Sequence, residues 1–139
     1  MLDTRSAEQA MADTGVIASI LAGNTAFYRV FIHRYNRLPR STAGRIFRGA
    51  EGVPDVLQGT HFRAFTHLAD FKGLSSFSNW LTRITVFVLK EVEELSVAEI
   101  AGRLGIISST IKSRVHRARK MLRVRLRAWE PRPGGFKWN

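Results

Sequence analysis

The chain has 139 residues, with 22 Lys and Arg against 11 Asp and Glu, a net charge of +11, 45% hydrophobic residues and no cysteine. That length makes one ordinary domain or two very small ones. The missing cysteines exclude disulfide scaffolds, thiol nucleophiles, thiolate zinc sites and iron–sulfur clusters. The positive surplus points to a polyanionic partner, with a membrane surface or a merely soluble basic protein as the competing explanations.

The position of the charge weighs among these. Residues 112–139 hold ten Lys or Arg against one Glu, a net of +9, and residues 29–72 hold eight against three, a net of +5. Such asymmetry reads as a localised nucleic-acid footprint. The best apolar run, Val86-Phe87-Val88-Leu89, closes at Lys90, far short of the ~18 residues that span a bilayer, so no membrane insertion is expected. Asp3, Glu8 and Asp13 argue against a signal peptide.

Helical periodicity dominates and predicts an all-α protein, a small helical bundle followed by a helix-turn-helix module. A first helix is expected from about Thr14 to Leu21, closed by Gly23-Asn24, with Asn24 capping the next. That second helix carries Phe27, Val30, Phe31 and Tyr35 opposite Arg29, Arg34 and Arg37, until Pro39 interrupts it. Ile46 and Phe47 suggest a short further piece, and Gly49 to Pro54 a loop. Pro54 suits the first turn of a helix reaching Ala69 with Val56, Leu57, Phe62, Phe65 and Leu68 inward. After a loop from Asp70, Ser76 or Ser78 caps a helix without a breaker between Asn79 and Glu94. The tail after Trp129, with Pro131, Pro133 and Gly134-Gly135, has no periodicity and is expected to be disordered.

The segment from Leu95 to Leu122 is the most informative. Ser96 and Glu99 have capping-box spacing, Ile100 and Leu104 give an apolar face, and the small Ala101 lets another helix approach. Gly105 tolerates the left-handed conformation that ends a helix, and Ile106 plugs the angle that follows. Ser108 or Ser109 caps a second helix whose buried stripe is Ile111, Val115, Ala118 and Leu122. This is helix-turn-helix spacing, for which the bland alternative is a helical hairpin with a solvated basic face. The outer surface, with Lys112, Ser113, Arg114, Arg117 and Arg119, favours DNA, since Arg pairs bidentately with guanine and Lys and Ser suit base edges or phosphates. Lys120, Arg123, Arg125 and Arg127 fall further along, towards phosphates or solvent.

The run Thr110-Ile-Lys-Ser-Arg-Val-His-Arg-Ala-Arg119, preceded by Leu95-Ser-Val-Ala-Glu-Ile-Ala and by Val86 to Glu94, resembles the promoter-reading region of extracytoplasmic-function (ECF) sigma factors. The resemblance implies that Thr110, Lys112, Ser113, Arg114, His116, Arg117 and Arg119 contact the minus-35 element, although Ile107 stands where the family usually has proline. Upstream, Ile20 to Phe27 and Tyr35 are similar to the opening helices of the family's amino-terminal domain. The similarity of Asp55-Val-Leu-Gln58 and Phe62 to its polymerase-binding helix implies core RNA polymerase contacts at Asp55, Gln58 and Phe62. Likewise, Phe71 to Leu81 resembles the loop and helix that capture an unstacked minus-10 base, which implies roles for Phe71, Gly73, Ser75, Ser76, Phe77, Asn79 and Trp80. On physical grounds alone Phe62, Phe65, Phe77 and Trp80 belong more often to a core than to a stacking platform.

These expectations divide the chain into a region 2-like domain at 1–85, a region 4-like domain at 86–130 and a tail at 131–139. At Thr85-Val86 the resemblance passes directly from the early part of one family helix into the second domain, as in a truncated sigma factor. An unbroken helix from Ser78 to Glu94 would span about 26 Å at ~1.5 Å per residue and hold the two modules rigidly. The family's two promoter elements lie more than one ~34 Å duplex turn apart. The implied partners are promoter DNA, core RNA polymerase and an anti-sigma factor, in a bacterial cytoplasm with nucleoid association. The alternative function is a stand-alone helix-turn-helix regulator or a decoy that binds an anti-sigma factor. No catalysis, cofactor or metal is expected: His33, His61, His67 and His116 share no ligand spacing, and Gly102-Arg-Leu-Gly105 is a helix end rather than a phosphate loop.

Overall fold

A computed structural model describes residues 12–49 and 51–126, with side chains described as far as Leu122. The expected disordered tail, and Arg127 with it, lie outside the described residues. Every regular element among the described residues is helical. The chain divides into two compact units, Met1–Arg37 and Leu38–Asn139.

In the first unit α1 (Asp13–Leu21) is followed by a 3₁₀ turn (Thr25–Phe27) and α2 (Tyr28–Tyr35). Val16, Ile20, Tyr28, Val30 and Phe31 are buried. Asp13 supplies a negative charge in the first turn of α1, where the helix dipole favours it. The same carboxylate accepts from Arg34 at 2.6 Å and from the Tyr35 hydroxyl, joining the two helices. Burial and then the Asp13 carboxylate push the Tyr35 hydroxyl up to about 12. Gly23, at φ +113°, ends α1 as expected, but Asn24 does not cap the next helix. Its amide donates instead to the Ser19 hydroxyl at 3.2 Å.

From Leu38 onward the second unit contains the rest of the helices, starting within α3 (Arg37–Ile46). Pro39 lies in the first turn of α3, not at a break within a longer helix. A missing amide costs nothing there, because first-turn amides have no intrahelical acceptor. α4 runs Val53–Thr66, with Pro54 in its first turn as the sequence predicts, and a 3₁₀ turn follows at Leu68–Asp70. Ser76 caps α5 (Phe77–Phe87) by accepting from the Asn79 amide at 3.0 Å.

α5 is the central strut: Phe77, Trp80, Leu81, Ile84, Thr85, Val86 and Phe87 are all buried. Its continuation keeps the helical path but widens into a π-helix, Val88–Val92, so the expected uninterrupted helix does not keep one hydrogen-bond register. Gly59 of α4 lies against this stretch. A Cβ added to Gly59 would lie 3.3 Å from a Val88 methyl, which would have to give by a few tenths of an ångström. Beside it, the Arg63 guanidinium stacks 5.9 Å from the Phe87 ring centroid. The π-helix ends at Val92, and after the cap residue Glu93 the chain turns at Glu94, φ +60°, a conformation unusual for a side chain with a Cβ.

Candidate nucleic-acid interface

The turn from Glu94 leads into α6 (Val97–Leu104), whose start is fixed locally. The Ser96 hydroxyl accepts from the Glu99 amide at 3.0 Å and donates to the Glu99 carboxylate at 3.1 Å. The second bond departs from the expected box, in which the carboxylate would reach the Ser96 backbone amide. Gly105 adopts φ +67°, and the Ile106 amide reaches back to the Ala101 carbonyl at 3.1 Å, closing the helix in a Schellman motif. Ile106 is half-buried, in keeping with its plugging role.

The next helix, α7 (Ser108–Leu126), begins at Ser108, so neither serine stands in the flanking cap position and Ile107 precedes the helix, 70% exposed. Ile111, Val115, Ala118 and Leu122 are buried, the stripe that the spacing predicts. Opposite it, Lys112, Ser113, His116 and Arg117 are exposed, while Thr110, Arg114 and Arg119 are half-buried. The seven residues therefore share one helix but have three environments.

Lys112 and His116, four residues apart, stand on the exposed surface. Thr110, Ser113, Arg114 and Arg117, together with Ser109, form one wall of a cleft of about 380 Å³, and Asn79, Thr82 and Arg83 of α5 form the other. Arg119 pairs with Glu91 of the π-helix, whose carboxylate competes with any phosphate for that guanidinium. Beneath the cleft the Trp80 indole donates to the Met121 sulfur at 3.1 Å, fixing α7 to α5.

A second attachment lies at the other end of α6. Arg45 of α3 donates to the Leu104 carbonyl at 2.8 Å, at the end of α6, and Arg103 of α6 donates to the Ile46 carbonyl at 2.7 Å, at the end of α3. Each arginine thus satisfies a last-turn carbonyl of the other helix, where a cation is favoured.

The residues between 71 and 80 divide by chemistry. Phe71, Phe77 and Trp80 pack on one another with ring centroids 5.3–5.5 Å apart, and Phe77 and Trp80 are buried. That is the core role that aromatic residues most often have. Gly73 is exposed at φ +72°, Ser76 and Asn79 are exposed, and Ser75 is half-buried. On α4, Asp55 and Gln58 are exposed three residues apart and Phe62 is half-buried four further on, so the three share a face. His61 and His67 point inward. Burial lowers the His61 pKa to about 4.

Arg83 is absent from the sequence-predicted set, because a single Arg in an apolar helix reads as its solvent face. The available signal was the stripe Asn79, Thr82, Arg83, at helical spacing opposite Leu81 and Ile84. Among the described residues no group of three or more His, Asp or Glu is placed to hold a metal ion, and no helix is long and apolar enough to cross a membrane.

Residues 84–122 match the family described as Sigma-70, region 4. The ECF RNA polymerase sigma factor SigW of Bacillus subtilis is 51% identical over 43 residues, 31% of this chain and 23% of SigW. The ECF RNA polymerase sigma-E factor of Haemophilus influenzae is 29% identical over 86 residues, 60% of this chain and 43% of that protein. Its Escherichia coli K12 counterpart is 29% identical over 80 residues, 58% of this chain and 41% of its own length. The chain thus spans less than half the length of these curated relatives. The solved structure of CnrH in complex with the cytosolic domain of CnrY aligns over 86% of this chain and all of the other, at 23% identity and a TM-score of 0.47.

Proposed function

We propose that this chain, a member of the ECF sigma-factor family through its region 4 module at residues 84–122, recognises promoter DNA for initiation by bacterial RNA polymerase. The observation that carries this reading is the two-sided α7, in which a fully buried stripe holds Lys112, Ser113, His116 and Arg117 at the surface. With that face in a major groove, Arg117 and Lys112 pair with base edges and Thr110 and Ser113 with bases or phosphates. The region from 86 to 130 has the minus-35 task, and the region up to 85 has the polymerase and minus-10 tasks. Asp55, Gln58 and Phe62 offer core polymerase one continuous face of α4. The loop around Gly73, with Ser75, Ser76 and Asn79, supplies polar contacts to an unstacked base, while Phe71, Phe77 and Trp80 brace it. An anti-sigma factor is a further partner of this reading, and the setting is cytoplasmic, at the nucleoid.

One observation favours a second reading, a DNA-binding regulator or decoy without initiation activity. The Trp80–Met121 bond and the two arginine–carbonyl bonds attach the helix-turn-helix to α5 and α3. A grip on two elements more than ~34 Å apart needs those modules separated. Pull-down with purified core polymerase, followed by promoter-specific transcription, decides between the readings. Co-purification with specific transcripts supports the initiation role. Specific duplex binding without polymerase supports the regulator, and absence of both overturns the DNA reading.

A further inference from the structure

The cleft between α5 and α7 carries chemistry that neither helix supplies alone. Arg83 of α5 and Arg114 and Arg117 of α7 line a space of about 380 Å³ with Asn79 and the Ser113 hydroxyl, and no Asp or Glu is among its lining residues. Three guanidinium groups on one small cleft repel one another unless an anion lies among them. The planar fork of arginine matches phosphate oxygens in pairs, and hydroxyl and amide donors complete such a shell. The first turn of the 19-residue α7 opens on the same cleft through Ser109 and Thr110, adding the positive end of a helix dipole. The nearest acidic residue of the π-helix, Glu91, is engaged with Arg119.

We infer that this cleft is a phosphodiester-binding site in which Arg83 of α5 and Arg114 of α7 hold the same backbone phosphate of a nucleic acid. The inference rests on the DNA reading of α7 and adds α5 to the contact surface. A phosphate bridging the two helices joins the minus-10-like and minus-35-like segments into one binding face, in place of two separated ones. The contact is to backbone, so it is independent of base sequence.

The test is a salt titration of binding by the full chain to a random-sequence duplex of about 30 base pairs, in which each phosphate contact contributes about 0.9 to the slope of log K against log salt. Arg83→Ala and Arg114→Ala are each expected to lower that slope by about 0.9, and the double variant by about 0.9 as well, not the ~1.8 of independent contacts. Arg83→Lys, which keeps the charge but not the fork, is expected to keep the slope and lose part of the affinity, and it guards against a folding defect in the alanine variant. Arg48→Ala removes an equal charge at an exposed position outside the cleft and leaves the slope unchanged. The corresponding single strand, where one phosphate counts about 0.7, shows which form of backbone the cleft takes. Additive losses in the double variant, or an unchanged slope for Arg83→Ala with both nucleic acids, overturn the shared site. If Lys112→Ala weakens duplex binding while Arg83→Ala does not, the cleft inference fails and the DNA reading stands. If the wild-type chain binds neither nucleic acid, both fail.

Discussion

α7 and the segment from Phe71 to Trp80 both present candidate DNA contacts, but they hold them in opposite ways. In α7 the polar residues stand outside a buried stripe of Ile111, Val115, Ala118 and Leu122, so binding and folding use different side chains. Between 71 and 80 the three aromatic residues pack on one another and Trp80 also holds α7, so one side chain serves both ends. The contrast teaches that a substitution on α7 can report on binding alone, whereas one at Trp80 reports on the fold first. α4 shows the same division, with Asp55 and Gln58 outward and His61 buried.

The largest effect expected is at Trp80. Removing a buried Trp costs about 3–5 kcal/mol, so Trp80→Ala is expected to move the urea midpoint sharply and to lose DNA binding only because the chain unfolds. A variant that stays folded yet binds DNA poorly would break the comparison by giving Trp80 a direct contact. Next is His61, neutral in the fold with its pKa lowered to about 4, against 6.5 when unfolded. The unfolded state binds the extra proton, so stability is full above pH 6.5 and falls as pH drops towards 4, by about 3 kcal/mol in total. Denaturant midpoints across that range, with His61→Gln showing a flatter profile, check the inward half of α4.

Arg117→Ala sharpens the outward half of α7. Specific duplex affinity is expected to fall by about 1–3 kcal/mol while the melting temperature stays unchanged, and a parallel loss of stability would show that α7 does not separate the two tasks. The smallest effect is at Glu94, whose positive φ suits glycine. Glu94→Gly is expected to raise stability by about 0.5–1 kcal/mol in chemical denaturation, relief of left-handed strain outweighing added chain entropy.

What was legible in the sequence follows the range of the interactions. The Ser96 cap, the left-handed Gly105 and the α7 stripe each depend on residues within a few positions, so spacing sufficed to place them. Pro39 and Asn24 were also local, but each allowed two outcomes, a break or a first-turn position for Pro39 and a helix cap or the Ser19 hydroxyl for Asn24. Phe77 and Trp80 match a base-capturing pattern through the resemblance but on physical grounds belong more often to a core, and packing against Phe71 places them there. Arg45 and Arg103 have partners far away in sequence and nothing in their own segments marks them, while Arg83 carried only the faint local signal of the Asn79, Thr82, Arg83 stripe.

The crossed bonds of Arg45 and Arg103 make the last turns of α3 and α6 depend on each other. Fraying either end withdraws the cation that closes its partner, so the two termini open as one cooperative unit rather than independently. Amide protons in both last turns are therefore expected to exchange with solvent at matching rates. Arg45→Ala would accelerate exchange in α3 as well as in α6, coupling the helix that precedes the recognition turn to a segment nearly sixty residues away.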